Sequence, residues 1–166
     1  MKLSDGVEWS IHCVLLLSGL PPGATLPGKA LAAFHGIPET YLLKHLKKLT
    51  AGGLLESVPG PRGGYRLARD LSAMTLLDVV EAVDGKRPAF RCTEIRRRGP
   101  CRLEDSAYPR PCGVNRAMLR AEKAYREALA RENLSDLSDD FLAGADPRFV
   151  VLGQAWMDDN LRRPKS

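Results

Sequence analysis

Three of the chain's four cysteines, Cys92, Cys101 and Cys112, fall within one short segment. Residues 86–111 are rich in Arg and Pro and poor in apolar residues, so this stretch reads as an irregular loop. Thiolates are soft ligands that suit iron–sulfur clusters or zinc, and a loop not committed to a backbone ladder can wrap such a group. Arg91, Arg96, Arg97, Arg98, Arg102 and Arg110 lie among these cysteines. Their charge favours the thiolate form and offsets the negative charge of a bound cluster. A second donor pair stands near the start of the chain, where Glu8 and His12 are one helical turn apart and leave the same face. A carboxylate and an imidazole so placed make half of a metal site. Taken alone, they read first as an exposed pair on a solvated helix. Cys13 falls on the apolar side of that helix, beside Val14, and reads as a small buried hydrophobe.

The elements that must position these groups follow from apolar periodicity. Val7, Ile11, Val14 and Leu15 predict a helix over Asp5 to Leu17, with Ser4 as its cap. A short helix is expected over Leu26 to Phe34, with Thr25 capping it and Pro27 in its first turn. His35-Gly36-Ile37 makes a tight turn. Pro38-Glu39 opens a third helix with a Tyr41, Leu42, Leu46 and Leu49 stripe, stopped at Gly52-Gly53. Two alternating runs, 54–58 and 65–68, flank a Gly/Pro-rich tip and predict a β-hairpin. A helix capped by Thr75 follows, to Val83. After the cysteine loop, Val114, Met118, Ala121, Tyr125, Ala128 and Leu129 mark a long helix from Gly113. A stripe on a helix placed after a complete domain needs a partner chain to cover it. The last stretch is weakly patterned, Asp-rich at 136–140 and Arg-rich at 162–163, and reads as a loosely held tail.

The expected fold is therefore mainly α with a small β-hairpin wing: a winged helix-turn-helix followed by a long dimerisation helix. Its parts are a DNA-binding unit over 1–84, a cysteine loop over 85–112, a dimerisation helix over 113–132 and a tail over 133–166. In this plan Glu39, Thr40 and Tyr41 begin the recognition helix and meet base edges, while Lys44, Lys47 and Lys48 meet phosphates. Arg62 at the hairpin tip suits a minor groove or phosphate, and Gly63 lets the backbone come close. A lysine-bearing helix alone is commonly a solvated face. The ordered run of three helices and a basic glycine-tipped hairpin turns the reading toward DNA.

Composition agrees. The chain has 166 residues, 44% apolar and 27% charged, with a net charge of +5, which suits a polyanionic partner. No stretch approaches the roughly 20 apolar residues that span a bilayer. Asp5 and Glu8 precede only a short apolar run, unlike a secretory leader, so a cytoplasmic protein without a membrane partner is expected. Cysteines there point to ligands or redox groups rather than structural disulfides. The chain shows no glycine-rich phosphate loop after a strand and no nucleophile motif, so an enzyme is not expected.

The runs 40–49, 51–55 and Gly63-Gly64-Tyr65-Arg66-Leu67-Ala68-Arg69, with the helix after Thr75 ending at Asp84-Gly85, resemble the IscR/NsrR family of bacterial regulators. The resemblance covers roughly residues 1–137. It implies a homodimeric winged-helix repressor or activator that binds double-stranded operator DNA with two half-sites. It also implies a cluster on the cysteine loop beside the dimerisation helix. Residues 6–13, Cys92-Thr93-Glu94-Ile95-Arg96 and Pro111-Cys112 are similar to a redox-sensing member of that family. That similarity implies a [2Fe–2S] cluster on Glu8 and His12 of one chain and Cys92 and Cys112 of its mate. Cys101 is then spare or an alternative ligand, and the Trp9 ring responds to the cluster's charge. The alternatives are a [4Fe–4S] nitric-oxide or oxygen sensor on Cys92, Cys101 and Cys112 with Glu8 from the partner, and a cluster-free thiol, disulfide or zinc regulator of the same fold.

Overall fold

A computed structural model of the chain describes residues 3–163, so the ends of the expected 1–84 and 133–166 segments, residues 1–2 and 164–166, lie outside the described residues. The described residues form α1 (Asp5–Ser18), α2 (Gly28–His35), α3 (Glu39–Ala51), β1 (Leu55–Val58), β2 (Gly64–Leu67), α4 (Leu76–Asp84), α5 (Gly113–Arg131), α6 (Leu134–Gly144) and α7 (Pro147–Asn160). One core joins Val7, Cys13, Val14 and Leu17 of α1 to Leu42, Leu46 and Leu49 of α3 and to Val79, Val80 and Val83 of α4. Each of these helices buries one stripe at helical spacing, and burying a Leu or Val side chain contributes roughly 1.5–3 kcal/mol.

Between α2 and α3 the chain turns through Gly36, whose φ of 65° is the left-handed conformation that a Cβ disfavours. The hairpin is antiparallel, with Leu55 opposite Leu67, Glu56 opposite Arg66 and Val58 opposite Gly64. Thr75 caps α4 in a reciprocal box: its hydroxyl accepts from the Asp78 N–H while the Asp78 carboxylate accepts from the Thr75 N–H. Helix, helix, turn, helix and hairpin thus assemble a winged helix-turn-helix, with a long helix after it.

Two expected caps do other work. Ser4 stands at the start of α1, but its hydroxyl donates to Asp84 Oδ1 at 2.6 Å and its N–H to Asp84 Oδ2 at 3.1 Å, tying the start of α1 to the end of α4. Thr25 does not cap α2, which begins at Gly28 after Pro27. The reason is that Leu26 exchanges both main-chain hydrogen bonds with Tyr65, at 3.0 and 2.8 Å, and this holds residues 25–26 extended beside β2.

The loosely held tail is replaced by two helices packed on the domain. Asn133 caps α6 by accepting from the Ser135 N–H, and Leu134 is fully buried. Asp146 caps α7 with Pro147 in its first turn. Trp156 packs on Phe34 of α2, and Met157 is buried on the α1 side. The Asp-rich stretch lies within α6.

Candidate nucleic-acid interface and thiol centre

The buried stripe of α3 leaves Glu39, Thr40, Tyr41, Lys44 and Lys47 on its exposed face. Lys44 Nζ lies 5.2 Å from the centroid of the Tyr41 ring, a cation–π contact that shapes this face. Lys48 is engaged differently. Its Nζ donates to the Val83 carbonyl at 2.6 Å, at the electronegative C-terminal end of α4. At the wing, Arg62 is exposed and makes no ion pair among the described residues, and Gly63 beside it is half-buried. Arg66 is spent on Glu56 across the hairpin, with contacts of 2.9 and 3.0 Å. That guanidinium holds the Glu56 carboxyl below the usual carboxylate range.

The structure brings Cys92 and Cys112 together at the start of α5. The nearby Asn115 N–H, and to a lesser degree the Val114 N–H and Cys92, hold the Cys112 thiol below its usual range despite a desolvation cost. Beside them the Glu94 N–H donates to Cys92 Sγ at 3.4 Å. Glu94 has a φ of 51°, a left-handed conformation rare outside glycine, and its carboxyl is held below its usual range, chiefly by Arg96 at 2.7 Å. Arg96 also donates to the Arg110 carbonyl at 2.6 Å and stacks over Tyr108, whose hydroxyl donates to the Arg96 carbonyl at 3.0 Å. Glu94, Arg96 and Tyr108 therefore brace a loop that looked unpatterned. Sequence reasoning gave Glu94 and Tyr108 no role and treated Arg96 only as charge.

Cys101 is exposed in a turn. Cys13 is buried, and burial pushes its thiol up to about 12. Glu8 and His12 are both exposed on α1, on the side away from Val7, Ser10 and Val14. Within one chain no described group of three or more His, Cys, Asp or Glu converges as a metal site. The chain presents two separate donor pairs: adjacent thiols at a helix start and a carboxylate–imidazole pair on an open helix face.

Trp9, between those last two donors, is half-buried and packs on His45 of α3. Gly6, one turn earlier on α1, lies under the same ring, and a Cβ there would collide with it. Burial and the Lys48 and Lys44 charges lower the His45 pKa, against the pull of Asp84. Nearby, burial and His12 lower the His35 pKa to about 4.

Residues 3–140 match the model of Rrf2, described as an iron-dependent transcriptional regulator. The chain belongs to the Rrf2 family. Its members are transcription regulators that bind DNA rather than enzymes. The HTH-type regulator YffB of Lactococcus lactis is 30% identical over 140 residues, covering 84% of this chain and 88% of that protein. The HTH-type regulator YwgB of Bacillus subtilis is 40% identical over 91 residues, which span 55% of this chain and 58% of YwgB. In fold, this Rrf2 chain is similar to an IscR of T. potens, with a TM-score of 0.62, 22% identity and coverage of 91% of this chain and 96% of the other. It is also similar to CymR, the global cysteine regulator of B. subtilis, with a TM-score of 0.61, 23% identity and coverage of 84% and 97%. Among the described residues no helix is long and apolar enough to cross a membrane.

Proposed function

We propose that this Rrf2 regulator is a homodimeric redox sensor, in which a [2Fe–2S] cluster held across the subunit interface sets the affinity for an operator of two half-sites. Glu8 and His12 come from one protomer, and Cys92 and Cys112 from the other. The observation that carries this reading is the closeness of Cys92 to Cys112 at the start of α5, where the Cys112 pKa is lowered. Two adjacent thiols supply two donors, and the exposed Glu8–His12 pair supplies two more in a chemically compatible set. The family's description as iron-dependent points the same way.

Dimerisation is supported by α5, none of whose residues is buried in the single chain: Val114, Met118 and Leu119 are 62%, 43% and 39% exposed. Apolar side chains at that spacing on a long helix call for a second helix. When bound, the cluster supplies a one-electron change of charge in a partly desolvated interface. The chain's own residues couple that site to DNA. Trp9 stands beside Glu8 and bears on His45, and Lys48 fastens α3 to the end of α4. A shift of α1 therefore displaces the recognition helix, and two recognition helices must keep the spacing of their half-sites. The exposed face of α3 with Lys44 and Lys47, together with Arg62 at the wing, forms the phosphate-contacting surface, with Glu39, Thr40 and Tyr41 nearest the bases. Operator affinity is highest for the oxidised holoprotein and lower for reduced or cluster-free protein.

Contact between the two thiols also favours a second reading, a reversible Cys92–Cys112 disulfide without iron. Anaerobic purification separates the two. The cluster reading requires a coloured protein with iron and acid-labile sulfide in equal amounts, lost in Glu8→Ala and His12→Ala variants. A colourless protein whose two thiols oxidise to one disulfide overturns it.

A further inference from the structure

The segment after α7 returns to the wing. Arg162 exchanges both main-chain hydrogen bonds with Thr25, at 2.9 and 2.8 Å, while the next residue, Leu26, pairs with Tyr65 of β2 in the same manner. Residues 25–26 are thus sandwiched by two single bridges, with β2 of the two-stranded hairpin on one side and Arg162 on the other. The same Thr25 reaches the wing tip, since its Oγ1 lies 3.4 Å from the Arg62 carbonyl as donor. Thr25 therefore fastens two arginine-bearing segments, one through its main chain and one through its side chain.

Their charges are free. Arg162 and Arg163 are exposed, and neither makes an ion pair among the described residues, as Arg62 does not. Arg66, Arg69, Arg96, Arg97, Arg126 and Arg148 are matched to carboxylates, and Arg162 and Arg163 differ from the other free arginines in standing on the strip bridged to the wing through Thr25. The placement is also firm. Trp156 packs on Phe34 of α2 with ring centroids 4.8 Å apart, and the Leu161 N–H donates to Met157 O at 2.8 Å, so the arm moves with the helix-turn-helix. This arm lies beyond residues 3–140, the part that the family model matches.

We propose that Arg162 and Arg163 are a further DNA-binding element, contacting duplex phosphates beside the wing. The inference rests on the reading of the wing as a DNA-facing element. Free guanidinia on a fixed main-chain support are suited to phosphate oxygens, and each phosphate contact releases counterions. A strut that merely covers the sheet edge would need the main-chain bridge but not the two charges.

The test keeps the bridge and removes the charges. Wild-type protein, R162A/R163A, R162K/R163K and R148A are titrated by fluorescence anisotropy against a labelled duplex of mixed sequence, at salt concentrations between about 50 and 200 mM. R162A/R163A is expected to bind on the order of tenfold more weakly, with a slope of log K against log salt shallower by about two per bound protomer and an unchanged melting temperature. R162K/R163K restores the slope, and R148A keeps wild-type binding. Wild-type affinity and slope in R162A/R163A overturn the proposal while leaving the wing reading intact. A wild-type protein with no salt-dependent binding overturns both.

Discussion

His45 on α3 stands edge-on to Trp9 on α1, with ring centroids 5.9 Å apart and ring planes at 82°. This one contact joins the helix that carries Glu8 and His12 to the helix that faces DNA. Gly6 makes it possible, because any side chain there would occupy the space of the imidazole. Replacing Gly6 with Ala should destabilise the protein by about 1–3 kcal/mol through overpacking. Combining it with His45→Ala should recover much of that loss, giving a coupling energy well outside additivity. Urea unfolding of the two single variants and the double variant measures it. An additive pair would mean that the two helices do not meet through this ring.

Acid should weaken the fold through His35. Its pKa is lowered to about 4, first by burial and then by His12, and its Nε2 has no hydrogen-bond partner among the described residues. A folded-state value below the unfolded value of roughly 6.5 means that the unfolded chain takes up the proton first. The stabilising contribution is therefore complete above about pH 6.5 and is lost as pH falls toward 4. Between pH 7 and pH 5 the loss should be about 1 kcal/mol, after allowance for the screening of a partly exposed ring. His35→Gln should lack this component. Because His12, a proposed ligand, lies beside His35 with ring centroids 5.8 Å apart, the comparison is made on cluster-free protein, by urea unfolding at the two pH values. Equal pH dependence in the two proteins would contradict the assignment.

The three lysines of α3 should separate into two behaviours. Lys44 and Lys47 are exposed and face outward, so Lys44→Ala and Lys47→Ala should each make the salt slope of DNA binding shallower by about one and leave stability unchanged. Lys48 is bound to the Val83 carbonyl, so Lys48→Ala should cost about 0.5–1.5 kcal/mol of stability. Salt-dependent anisotropy and urea unfolding on the same three variants check this. A Lys48→Ala protein of full stability with the shallowest slope would reverse the roles.

How far the sequence reveals this molecule depends on where each signal resides. The helices α1 to α4 and the hairpin are legible because Val7, Val14, Leu42, Leu46, Leu49, Val79 and Val83 repeat at helical spacing between clear glycine and proline stops. The helices α6 and α7 are not, because they dock through Leu134, Trp156 and Met157 rather than through a continuous stripe. Their available signals were the caps, Asn133 and the Asp146-Pro147 start. Thr25 looks like a cap because its type suits one, and only the long-range pairing with Arg162 gives it another part. The proximity of Cys92 and Cys112 depends on a loop braced by Arg96 and Tyr108, contacts that no local pattern encodes. Glu8 and His12 stay apart from those thiols within one chain, and what unites them in the proposed site is a second copy.

That last point can be tested by complementation. One protomer carries E8A/H12A, the other C92A/C112A, each with a different affinity tag, and the mixed dimer is isolated anaerobically through both tags. One of its two interface sites then keeps all four proposed ligands, so it should hold about half of the wild-type iron and sulfide, while either variant homodimer holds neither. A mixed dimer as empty of iron and sulfide as its parents would contradict ligation across the interface.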